Sequence, residues 1–131
     1  MKALSIWPEY ATEIAKGEKT EEYRVWQTDY RGDLLICSSA KKQKGFLSGH
    51  ALCIVTLVDI DELIDDTYAW ILENPRMIKP IPLKGQLHLW DYDGPIELIP
   101  KKEWCPRKGA SYKTICDRWD SFVEKYWKPL M

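Results

Sequence analysis

Gly17-Glu18-Lys19-Thr20-Glu21-Glu22-Tyr23-Arg24 joins the end of a short helix to the start of a strand. Gly17 is a helix stop, because a residue without a Cβ takes the left-handed conformation that closes a helix. Upstream, Pro8 suits a first helical position, where its missing N–H would be unpaired in any case. Tyr10, Ala11, Ile14 and Ala15 recur at helical spacing and give that helix one apolar face. Downstream, a strand is predicted from about Thr20 to Trp26. Strand alternation puts Thr20, Glu22, Arg24 and Trp26 on one face and Glu21, Tyr23 and Val25 on the other. The first face carries charge and a stacking ring, and the second carries apolar bulk.

Further outward, Ala3-Leu4-Ser5-Ile6 reads as a first strand and Asp29 to Asp33 as a turn. Leu34-Leu35-Ile36-Cys37 is a buried strand that exits into Ser38-Ser39. Ala51 to Ile60, rich in β-branched residues and apolar on both faces, is predicted to be central. Thr67 to Glu73 reads as a short helix broken by Asn74-Pro75-Arg76. Met77 to Leu83 is extended, since Pro80 and Pro82 forbid helix and disfavour a central strand. Leu87 to Trp90 and Glu97 to Ile99 are short strands. From Ser111 to Trp127, Ile115, Cys116, Trp119, Phe122, Val123 and Tyr126 repeat at helical spacing. About five to six strands with an early and a late helix predict an α+β domain around a small mixed β-barrel.

A length of 131 residues fits a single domain spanning 1–131. The formal net charge is −1, so no global positive field attracts nucleic acid, and any such contact needs a local patch. Cys37, Cys53, Cys105 and Cys116 form no C-x-x-C pair, and His50 and His88 have no ligands spaced around them. Neither a metal nor another cofactor is expected. No signal-peptide pattern follows Met1, and no apolar run approaches the roughly 20 residues of a membrane span. A reduced, cytoplasmic setting is expected. Seven tryptophans and seven tyrosines serve either as packing or, for a few, as a base-stacking surface.

Several runs together resemble an ASCH domain. They are Met1-Lys2-Ala3-Leu4-Ser5-Ile6, then Ile14 to Arg24, then Tyr30-Arg31-Gly32, then Leu34 to Ser39. The family pattern G-x-K-x-x-E-x-R is filled by Gly17, Lys19, Glu22 and Arg24. Trp70, Asn74-Pro75-Arg76, Ile81 to Gly85 and Leu89-Trp90 are similar to its second half. The likeness covers about residues 1–99, and residues 100–131 form a C-terminal extension whose helix is expected to pack on the barrel. The resemblance implies a PUA-like barrel with a cleft between barrel and helices, and a role in binding RNA or another nucleic acid. One branch of the family hydrolyses N4-acetylcytidine with a lysine, a threonine three residues later and a more distant glutamate. Lys19 matches that lysine, Glu22 stands at the threonine position, and Glu62 or Glu73 could be the later glutamate.

The residues themselves allow two readings of each candidate. Glu22 and Arg24, two apart on one strand face, are either a structural ion pair or a clamp in which Arg24 holds a phosphate or base edge. Lys19 is either a solvated cation or, desolvated in a cleft, a general base, with Glu22 as the second catalytic candidate. Thr20 lies beside it. Trp26, Trp90 and Trp104 are the rings to test for stacking. Tyr30 and Arg31 either cover the cleft or finish the barrel end, and the hydroxyls of Ser38 and Ser39 bond either a ligand or backbone. Lys41, Lys42 and Lys44 are either a solvated loop or the phosphate contacts of a bound RNA. The expected function is therefore binding of RNA or a modified nucleoside. The alternatives are an amide hydrolase of an acylated nucleoside with Lys19 as base, and a protein-interaction module of transcription or translation.

Overall fold

A computed structural model describes residues Met1–Met131. The element order is β1 (Lys2–Ile6), α1 (Pro8–Lys16), β2 (Glu21–Arg24), β3 (Gly32–Ser38), β4 (His50–Glu62), β5 (Tyr68–Pro82), β6 (Leu89–Asp91) and α2 (Tyr112–Tyr126). The strands form one curled half-barrel sheet in the order β2-β5-β4-β3-β1-β6. It is mixed: β1 runs parallel to β3, and the other neighbours are antiparallel. The fold class is α+β, with one early and one C-terminal helix, as the element pattern predicts.

Both faces of the central strands are covered, which is why their sequences are apolar at consecutive positions. Leu4, Ile6, Leu34 and Ile36 point into the main core, together with Ala11 and Ile14 of α1 and Trp119, Phe122 and Trp127 of the C-terminal segment. Ala3, Leu35 and Cys37, the alternate residues, form a smaller cluster with Ala51, Ile54 and Ile78. The C-terminal extension thus supplies core, not a detached tail. Ser111 caps α2 by accepting from the Thr114 N–H at 3.2 Å.

The region after β4 departs from the sequence reading. Residues 68–73 are strand, not helix, and Asn74-Pro75-Arg76 does not end the element. β5 runs 15 residues, because pairing along β4 outweighs local propensity. The would-be breaker is absorbed in a register shift between Ile54 and Thr56, with Asn74 at φ 55°, a conformation that asparagine tolerates. The proline rule survives in a local form. β2 pairs only with Tyr68 to Ile71, so Pro80 and Pro82 lie beyond it and take their ladder from β4. Glu97 to Ile99 is not a strand but a single bridge between Ile78 and Leu98.

Candidate functional site

The parallel pairing of β1 with β3 brings Ile6 beside Ser38, and the Ser39 N–H donates to the Ile6 carbonyl at 2.7 Å. The chain leaves β1 into Trp7 and α1, and β2, paired with β5, brings Glu22 and Arg24 to the same cleft. Gly85-Gln86-Leu87, between β5 and β6, closes the far side. These segments enclose an open cleft of about 630 Å³. Its walls include Ser5, Trp7, Tyr10, Glu22, Arg24 and Ser39.

Glu22 is the buried carboxylate of this wall, 7% exposed. Lys19 Nζ lies 3.6 Å from one of its oxygens and Arg24 Nη2 donates to the other at 3.1 Å. Arg24 also donates to the Ser5 carbonyl at 3.2 Å, tying β2 to β1 across the cleft. Its Nε is buried without an acceptor, so the guanidinium keeps unspent donor capacity. Lys19 further sits over the rings of Tyr10 and Tyr23, at 5.4 and 5.2 Å from their centroids. A carboxylate and two ring faces are partners that hold a cation.

On β2 the alternation places Glu22 and Arg24 on the cleft side and leaves Val25 to solvent. The charged face turns inward, and the apolar face turns out: Tyr23 is 53% and Val25 79% exposed. Tyr23 donates to Glu21 at 2.7 Å, and that carboxylate holds its phenol above the usual tyrosine range. Tyr10 likewise leaves the core face of α1 and stands at the cleft, 40% exposed and parallel to Trp7 at 6.1 Å between ring centroids. Trp7 itself is 49% exposed. Lys41 Nζ lies 3.2 Å over its ring. That contact is fixed by Gln43, whose amide oxygen accepts from the Glu9 N–H at 2.8 Å and pins the basic loop to the start of α1.

The structure therefore gathers Lys19, Glu22, Arg24, Ser39 and Lys41 around one cleft and leaves other candidates elsewhere. Thr20 is exposed, and its carbonyl accepts from Leu72. Trp26 is packed edge-on between Trp70 and His88, at 4.8 and 4.7 Å. Tyr30 bonds the Asp33 carbonyl, and Arg31 bonds Thr28 and faces Asp59. They lie at the opposite end of β3, roughly 20 Å from Ser39 at strand rise. The Ser38 hydroxyl is spent on both the N–H and the carbonyl of His50. Lys42 and Lys44 are exposed in the basic loop. Trp90 packs against the smaller core cluster. Trp104 donates to the Ile99 carbonyl. Neither Glu62 nor Glu73 lines the cleft. The sequence reading missed Trp7, Tyr23 and Ser5 as cleft residues. Only an aromatic immediately before a helix-starting proline hinted at the first. No cluster of histidine, cysteine or carboxylate side chains could hold a metal ion, and no helix is long and apolar enough to cross a membrane.

A family model described as ASCH domain matches residues 4–100. No curated protein sequence matches the chain. Among solved structures, ASCH from Zymomonas mobilis is 19% identical with a TM-score of 0.48, covering 63% of this chain and 73% of that one. A tyrosine-to-phenylalanine variant of that protein gives 19% and 0.49, over 63% of this chain and 75% of that one.

Proposed function

This chain belongs to the ASCH domain family, a generally RNA-binding PUA-like fold, and on that premise we propose that its cleft binds a nucleobase of RNA or of a modified nucleoside. The observation that carries the reading is the clamped Glu22 carboxylate on the wall of a cleft rimmed by exposed aromatic rings. A base stacks on a ring face regardless of its identity. A fixed carboxylate beside a guanidinium offers one acceptor and one donor set to the base edge, and that selects among bases. Lys41, with Lys42 and Lys44 behind it on the same loop, stands at the Trp7 side, where the phosphates would run.

The enzymatic alternative is hydrolysis of an N4-acylated cytidine. Here Glu22 takes the place of the branch's threonine and pairs directly with Lys19, which gives Lys19 a binding and charge-orienting role. The protein-interaction alternative would use the same exposed rings.

The test is titration of short single-stranded RNAs at two salt concentrations, with Trp7→Ala and Lys41→Ala in parallel and turnover of N4-acetylcytidine followed by chromatography. Binding should weaken with salt, and Trp7→Ala should lower affinity about tenfold, the worth of roughly one base stack. No saturable binding at low salt refutes the reading. Turnover lost in Lys19→Ala replaces it with the hydrolase.

A further inference from the structure

A second cavity, of about 490 Å³, lies at the other end of α1 and shares no lining residue with the first. Its size is that of a small-molecule site. Most of its walls come from residues beyond the family match, between Trp104 and Trp119. The interior is apolar and aromatic, with Trp104, Ile115 and Trp119 as its larger surfaces, closed by Ala15 of α1 and Pro75 of β5. Tyr112 and Ile115 leave apolar surface to water at its edge, 81% and 46% exposed. The thiols of Cys105 and Cys116 are half-buried in the same walls.

The charges of this cavity are not balanced. Glu18, the carboxylate in its wall, is paired with Lys16 at 3.0 Å. Arg107 and Lys108 also line it, are exposed, and have no carboxylate partner. Gly109, which follows them at φ 84°, has open space where a Cβ would stand. An apolar body with a cationic mouth is complementary to an amphipathic organic anion: the rings desolvate the body, and the paired positive charges select the head group.

We propose that this cavity is a binding site for a small aryl or alkyl carboxylate, distinct from the nucleobase cleft. The arrangement places the apolar part against Trp104, Ile115 and Trp119 and the carboxylate at Arg107 and Lys108. It does not depend on the nucleic-acid reading of the first cleft.

The experiment uses 2-naphthoate as probe and 2-naphthalenemethanol as its neutral counterpart, titrated against the whole chain with tryptophan fluorescence as the readout. Saturable naphthoate binding is expected, with the alcohol weaker by about fivefold or more, the worth of one ion contact at a solvent-lined mouth. The double substitution Arg107→Glu and Lys108→Glu should remove that preference while leaving circular dichroism unchanged, because both side chains are exposed. Ile115→Glu, on an exposed helix position, should abolish binding of both probes. Saturating naphthoate should also slow alkylation of Cys116, read by mass spectrometry. No saturable binding up to about 5 mM, a bound weaker than any useful small-molecule affinity, overturns the proposal. So does equal binding of acid and alcohol, unchanged by charge reversal. Displacement of naphthoate by RNA, with loss of RNA affinity in the charge-reversal variant, overturns it in favour of an extended RNA track.

Discussion

Glu22→Gln is the perturbation that separates the structural role of the cleft charges from recognition. The substitution keeps the shape of the side chain and removes its charge. Its carboxylate lies 3.1 Å from Arg24 Nη2 and 3.6 Å from Lys19 Nζ, with side-chain exposures of 9%, 23% and 18% for Glu22, Arg24 and Lys19. At 3.1 Å the Coulomb term runs from about 1 kcal/mol in water-like surroundings to about 5 at an effective dielectric of about 20. The partial exposure of all three groups places the net loss in the lower half of that range, at about 2 kcal/mol, since two cations lose their counter-charge but keep some water. For a chain of this size that lowers Tm by roughly 6–10 °C. The assay is urea unfolding of wild type, Glu22→Gln, Arg24→Met and the double variant, which isolates the pair's coupling. A coupling of about 1–2 kcal/mol is expected. The same variant discriminates function in RNA titrations. If the cleft acts only as a field, removing a negative charge tightens RNA binding. If Glu22 reads a base edge, affinity falls and base preference relaxes. Stability within about 0.5 kcal/mol of wild type, with additive variants, would falsify the claim that this triad holds β2 against β1.

Gly85→Ala should perturb the cleft from a distance in sequence: an added Cβ would meet Ser5 Oγ at 2.5 Å and Ser5 Cβ at 2.9 Å. A loss of about 1–3 kcal/mol, relieved by Ser5→Gly in the double variant, is the expected unfolding result. Thiol titration of the native chain should find Cys105 and Cys116 reactive and Cys37 and Cys53 silent until unfolding. Burial holds the Cys37 thiol up at about 12 and raises Cys53 as well, so reaction of all four thiols at one rate would refute the core. Trp127 and Trp70 are both buried, but Trp127 Nε1 has no acceptor whereas Trp70 Nε1 donates to the Trp26 carbonyl at 3.3 Å. Trp127→Phe should therefore destabilise less than Trp70→Phe, by about 1 kcal/mol, in denaturant melts. Arg76 donates to Asp33 at 2.9 Å and holds its carboxyl below the usual range. A lowered folded value means the pair stabilises above the unfolded carboxylate pKa of about 3.9 and loses that contribution as pH falls through the folded value. Asp33→Asn should flatten the stability profile in that acid window by under about 1 kcal/mol, given the pair's exposure, and an unchanged profile would remove Asp33 from the acid response.

The features legible in the chain before folding are those set by contacts a few residues apart. Pro8 and Gly17 bound α1, with Gly17 at φ 82° and its N–H on the Ile14 carbonyl, because helix ends are decided by local backbone geometry. Glu22 and Arg24 meet because they are two apart on one strand face, and Lys19 joins them from the turn that leads from Gly17 into β2. The periodicity of α2 and the apolar β4 are likewise readable, as is the α+β class that follows from them.

What tertiary structure alone decided are the contacts made across the sheet. Tyr68 to Glu73 is strand because β4 is there to pair with it, and a short apolar run has no period of its own that distinguishes the two. Charge faces inward on β2 because β1 supplies the Ser5 carbonyl and α1 the ring of Tyr10, while Val25 on the other face is left 79% exposed. Trp7 meets Lys41, 34 residues away, because β1 pairs with β3, and Ser5 meets Gly85, 80 residues away, because β1 pairs with β6. Pairing between distant segments leaves no mark in either segment's own spacing, so the aromatic rim of the cleft becomes visible only once the sheet has closed the distance.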